Sequence, residues 1–67
     1  MKTVEIYMLD VGKIEYNNVD YISIERGEAL NMDLEKDELY LQLGWFTSDG
    51  RETATYSLDE IVTMFTY

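Results

Sequence analysis

The chain has 67 residues, 14 of them acidic and 5 basic, for a formal net charge of -9; this argues against direct binding to DNA, RNA or anionic membrane and favours basic protein surfaces or cations. With no cysteine and no histidine, disulfides and the usual structural zinc site are excluded, so one domain spanning 1–67 must be stabilised by its core or by a partner subunit. A hydrophobic content of 46% with 13% aromatics exceeds that of a disordered acidic tail, and a folded domain is expected. The first residues carry no apolar run of signal-peptide length, and no stretch approaches the roughly 20 apolar residues of a membrane span. A cytoplasmic protein is expected.

Residues 2–9 alternate Val4, Ile6 and Met8 with Thr3, Glu5 and Tyr7, which predicts a strand ending near Gly12. Residues 14–16 and 19–24 read as two further strands around Asn17-Asn18, a pair that tolerates positive φ and suits a two-residue hairpin turn. That register sets Glu15 opposite Asp20, a like-charge pair, so a bulge or a longer loop is the alternative. After Arg26-Gly27-Glu28, residues 29–34 alternate again. Leu39, Leu41, Leu43 and Trp45 then share one face of a strand. Asp49-Gly50 predicts the centre of a type I′ turn, placing Trp45 opposite Ala54 and Leu43 opposite Tyr56. At Ser57-Leu58-Asp59-Glu60 the pattern changes to a capping box, and Leu58, Ile61, Val62 and Phe65 follow at helical spacing. A helix of roughly nine residues cannot stand alone and must dock on the sheet. The fold expected is α+β: six short, mostly antiparallel strands in a curled sheet or partial barrel, with one short C-terminal helix packed on it.

The acidic row in the middle of the chain is the most informative local feature. Asp33, Glu35 and Asp37 alternate with Leu30, Met32 and Leu34, so an extended segment would line carboxylates along one face about 6.7 Å apart, a spacing on the scale of a phosphate row. If residues 35–38 round a hairpin instead, the row is shorter. Glu5, Asp10, Glu15, Asp20 and Glu25 recur at intervals of five, but an odd interval alternates faces on a strand and builds no stripe. The density is the firmer signal, with ten acids and four lysines or arginines before Leu39.

The inventory for catalysis is thin. Ser-His-Asp and Cys-His arrangements are impossible, and no glycine-rich phosphate loop or Gly-x-Ser-x-Gly elbow occurs. Asp33, Glu35 and Asp37 fit positions 1, 3 and 5 of an EF-hand loop, but Glu38 stands where glycine is needed and Gly44 where the bidentate glutamate should be. No enzyme, cofactor or metal site is expected. Among the aromatics, Trp45, Tyr56 and Phe65 are expected in the core, with Tyr7, Tyr16, Tyr40 and Phe46 on the other sheet face.

A tiny, acidic, cysteine-free chain with the Asp33, Glu35, Asp37, Glu38 cluster, the Asp49-Gly50 hairpin and the Ser57 cap resembles the bacteriophage host-takeover proteins that mimic DNA. That class blocks DNA-binding proteins, including the histone-like HU protein and uracil-DNA glycosylase. The resemblance implies a non-enzymatic inhibitor that occupies the basic DNA-binding surface of a bacterial protein, HU being favoured, with a homodimer as an expected form. Neither direct nucleic-acid binding nor membrane binding is expected. The residues expected to meet the partner are Asp20, Glu25, Glu28, Asp33, Glu35, Asp37 and Glu38. Two alternatives compete: a regulatory or structural interaction domain using exposed aromatics such as Tyr40 or Phe46, and a cleft-binding inhibitor of a DNA-processing enzyme that presents the 48–51 loop.

Overall fold

A computed structural model describes residues 2–30 and 33–67. Its elements, in chain order, are β1 (Lys2–Met8), β2 (Gly12–Arg26), a first 3-10 turn η1 (Gly27–Leu30), β3 (Leu39–Thr47), β4 (Gly50–Ser57), a second 3-10 turn η2 (Leu58–Glu60) and β5 (Ile61–Thr66). The strands form one antiparallel sheet in the order β4-β3-β2-β1-β5.

The sheet is bent back on itself, and chain length alone requires it. A flat five-stranded sheet would hold its two edge strands about 19 Å apart. Only η2 joins those edges, and three residues of 3-10 geometry advance about 6 Å. The halves of the sheet therefore meet face to face. Tyr16 of β2 and Tyr56 of β4, on strands separated by β3, join through their hydroxyls. Tyr16 also packs at 5.0 Å on Trp45. Between the halves, Val4, Ile6, Val19, Leu41 and Leu43 form one fully buried cluster. Alternation explains its membership: Val4 and Ile6 are two apart on β1, and Leu41 and Leu43 two apart on β3. Complete burial of each such side chain stabilises by about 1.5–3 kcal/mol.

The bend lies in β2. Asn17 and Asn18 do not turn the chain; the 15-residue strand runs through them, with Asn18 at φ 59. The register with β1 slips by one between Val4 and Lys2, and that with β3 slips between Val19 and Tyr21. Two irregularities so close together give one strand the curvature to serve both halves. The like-charge pairing of Glu15 with Asp20 is avoided as well.

The α+β expectation fails at the C-terminus, where there is no α-helix. Ser57 does cap, but its hydroxyl accepts from the Asp59 N–H at 3.3 Å and not from that of Glu60 as a capping box would, and the cap starts a single 3-10 turn. Ile61, Val62, Thr63 and Phe65 favour a strand, and β1 offers an unpaired edge that β5 fills from Ile61 to Thr66. An isolated nine-residue helix has no comparable gain. Residues 29–34 also depart from the expected strand: η1 occupies 27–30, and 33–38 form a loop, while Met32 of the proposed alternation lies outside the described residues.

The β3-β4 hairpin forms with a register two residues from the one expected. Thr47 pairs with Gly50, Leu43 with Ala54 and Leu41 with Tyr56, while Trp45 meets Glu52. Thr47 accounts for the shift: its hydroxyl accepts from the Asp49 N–H and donates to the Gly50 carbonyl, both at 3.2 Å. Ser48-Asp49 become the turn, and an even shift leaves every side chain on its face.

Two glycines sit at close approaches, and one of them is required. A Cβ on Gly27 would lie 1.9 Å from the Glu35 carbonyl oxygen; on Gly44 it would meet the Arg51 guanidinium at 2.8 Å. Gly27→Ala therefore forces backbone apart and should cost about 1–3 kcal/mol in urea unfolding. Gly44→Ala displaces only the end of a flexible side chain and should cost less than about 1 kcal/mol.

Candidate partner-binding surface

The expected site residues fall into two groups. Glu25, Glu28, Asp33, Glu35, Asp37 and Glu38 belong to the end of β2, η1 and the loop before β3, a stretch with two cations, Arg26 and Lys36. Asp20 stands apart, about 17 Å up β2 from Glu25 at strand rise.

The loop is held by its backbone. The Gly27 N–H donates to the Glu38 carbonyl at 2.9 Å and the Glu28 N–H to the Lys36 carbonyl at 3.2 Å. The Glu35 N–H donates to the Tyr40 hydroxyl at 3.2 Å. Tyr40 is only 6% exposed, although its position on β3 puts it on the face opposite Leu41. The loop crossing Gly27 covers it. Glu28, Asp33, Glu35, Asp37 and Glu38 are all exposed, and Glu25 is half-buried. Arg26 lies among them, 3.5 Å from Glu28 and 3.3 Å from Asp37. Both ion pairs are open to solvent and add little stability, so the region keeps an excess of four negative charges, six carboxylates against two cations. The strand-borne row at 6.7 Å intervals is replaced by carboxylates carried around a fixed loop.

Asp20 has a different role. Arg51 reaches from β4 across Gly44 on β3 and donates to both Asp20 carboxylate oxygens, at 3.0 and 3.4 Å. Its guanidinium lies over the rings of Phe46 and Tyr21, at 4.9 and 5.5 Å. A bidentate, ring-flanked pair spanning three strands ties the sheet together and leaves Asp20 already neutralised.

Sequence reasoning did not single out the fastening residues. Gly27 reads as punctuation and Tyr40 as a surface aromatic, because only the return of the loop over β3 shows what each supports. A second cluster also went unpredicted. Glu5 on β1 accepts from the Tyr67 hydroxyl and from the Tyr7 hydroxyl, and lies 3.6 Å from Lys13. These contacts hold the Glu5 carboxyl below its usual range, the Tyr67 hydrogen bond contributing most, and the same bond raises Tyr67 to about 12. Tyr16 also rises to about 12, through burial first and then its bond with Tyr56. Phe65, expected in the core, is 53% exposed and meets Tyr7 edge to face at 5.9 Å.

A shallow cleft of about 360 Å³ is lined by Lys2, Val19, Asp20 and Ile22. Among the described residues no cluster of three metal-ligating side chains occurs, and no helix is long and apolar enough to cross a membrane. Comparison with protein-family models, curated proteins and solved structures gives no match.

The pKa shifts fix the alkaline and acid behaviour. A tyrosine whose pKa is higher in the fold contributes stability that is complete below its unfolded value and lost as pH rises through the folded one. The urea midpoint should fall as pH rises from 10 to about 12, and Tyr67→Phe should remove part of that fall. Glu5 acts in the opposite direction: its contribution is present above the unfolded carboxyl pKa and lost as pH falls through the lowered folded value. Carboxyl-carbon NMR titration should show Glu5 moving back up in Tyr67→Phe.

Proposed function

We propose that this protein is a non-enzymatic acidic DNA mimic that occupies the basic DNA-binding surface of a bacterial protein. The observation that carries the reading is the fastened acidic end of the fold: six carboxylates in residues 25–38 against two cations, on a loop whose backbone is tied to Gly27, Glu28 and Tyr40. Two like charges about 7 Å apart in water repel by about 0.6 kcal/mol. Several such pairs destabilise a domain this small, and a cationic surface relieves them. A loop already held in place also loses little conformational freedom on binding.

The histone-like protein HU is the partner we favour, because a long basic DNA-binding surface suits a broad acidic one. The contact set is Glu28, Asp33, Glu35, Asp37 and Glu38, with Glu25 at its border. Asp20 is left out because Arg51 holds it. A surface built on aromatics has less support: Tyr40 is buried beneath the loop, and Phe46, though 62% exposed, has one ring face occupied by the Arg51 guanidinium.

Competition for DNA tests this reading. The protein should release DNA from HU at low salt, and the effect should fade as salt screens the attraction. Changing Asp33, Glu35, Asp37 and Glu38 together to their amides should weaken binding about 10- to 100-fold; changing Asp59 and Glu60 should do far less. Failure to displace DNA from HU or any other bacterial DNA-binding protein would sink the proposal, and equal losses from the two sets would remove the loop from it.

A further inference from the structure

The two edges of the sheet are chemically unlike. β4 carries Arg51 and Glu52 directly after its first residue, charges that discourage a further strand. On the other edge, residues 61–67 read Ile-Val-Thr-Met-Phe-Thr-Tyr, without a charged side chain or a proline, in a chain of net charge -9. Phe65 is 53% and Tyr67 68% exposed.

Hydrogen-bond parity shows what this edge presents. Thr3 and Tyr67 exchange both backbone bonds, at 2.8 and 3.0 Å, and the register continues as Val4 with Thr66, Glu5 with Phe65 and Ile6 with Met64. Bonded and non-bonded pairs alternate in an antiparallel ladder. Phe65 thus directs its N–H and C=O at β1, whereas Met64 and Thr66 direct theirs outward from the sheet.

We infer that a second copy of this chain pairs antiparallel along β5, about a two-fold axis through Phe65. In that register Met64 of each copy meets Thr66 of the other, and the outward groups form four backbone hydrogen bonds. The Phe65 rings of the two copies face each other in a non-bonded pair, with Cα atoms about 4.5 Å apart. Tyr7, already edge-on to Phe65, extends the contact into a four-ring cluster.

Charge favours a second copy over a cationic partner on this edge. A basic protein gains nothing from an uncharged strand, whereas two copies that repel each other elsewhere can approach here. Glu60 of one copy lies about 33 Å along the strands from its counterpart at strand rise, well beyond the screening length of about 8 Å. Glu5, beside Phe65, and its cross-strand neighbour Glu15 share Lys13, at 3.6 Å from each. The inference stands apart from the proposed function, and salt separates the two: screening strengthens pairing between like-charged copies and weakens binding to a basic partner.

Cysteine cross-linking and solution mass test the pairing. The chain has no cysteine, so Phe65→Cys introduces one thiol at the axis, where the Cα separation suits a disulfide. Mild oxidation should link most of this variant into dimers and leave Phe46→Cys, equally open to solvent, largely unlinked. By sedimentation the wild type should approach about 16 kDa, twice the 7.9 kDa chain, more completely at high salt. Thr66→Pro removes an outward N–H that the β1 ladder does not use, and should return the protein to monomer with its circular dichroism unchanged. A wild type that stays at 7.9 kDa overturns the inference. So does a dimer that survives Thr66→Pro and is not captured by Phe65→Cys.

Discussion

The short connection between the edges of the sheet governs this structure. η2 gives the chain about 6 Å of advance to pass from β4 to β5, while a flat sheet would keep those strands about 19 Å apart. The sheet must fold over, and every larger feature follows from that. It supplies a core where, among the described residues, no α-helix lies across the sheet. It brings Tyr16 against Trp45 and Tyr56. β2 bears the deformation, and Asn18 and the two register slips are where it is absorbed.

The same folding sorts the carboxylates. Two of those on strands meet partners already present in the sheet: Asp20 meets Arg51, and Glu5 meets Lys13 and two tyrosine hydroxyls. For the carboxylates in the connection before β3 the sheet supplies one cation, Arg26 at the end of β2, which reaches Glu28 and Asp37. What holds them together is backbone hydrogen bonding over Gly27 and the Tyr40 hydroxyl. Charge is concentrated where the fold neutralises it least, and a short loop is pinned in spite of its own repulsion. Such an end is suited to a cationic surface that is itself fixed in shape.

Closing one edge also exposed another. When β5 takes the open side of β1, it satisfies one set of backbone groups and presents the alternate set at Met64 and Thr66. A helix at this position would have satisfied its backbone internally and left β1 as the edge. The choice of strand over helix thus moves the uncharged segment from the interior, where the helical reading put it, to the rim of the sheet.

Residue pattern alone was enough for the elements whose signals are local. The alternation in β1 and β3, a tight hairpin turn at residues 48–51 and a hydroxyl cap at Ser57 each depend on neighbours within a few residues, and each is present, although the turn centres on Ser48-Asp49 and not on Asp49-Gly50, and the cap opens a 3-10 turn and not a helix. So is the acidic excess, which is a matter of composition. Other features depended on contacts distant in sequence. Asn17-Asn18 and Ser57-Glu60 have the right local chemistry for a turn and a helix start, but β1 and β3 keep β2 extended through the first, and the open edge of β1 draws residues 61–66 into a strand after the second. The alternation at 33–37 suggested a strand, yet the loop's return across Gly27 and over Tyr40 decided otherwise. Composition and short-range pattern determined that this chain is acidic and carries antiparallel strands, but they also assigned it a C-terminal helix where the structure has a strand. Tertiary structure alone decided which carboxylates remain unpaired and which strand lies at the rim, because both depend on partners brought together by the bend in the sheet.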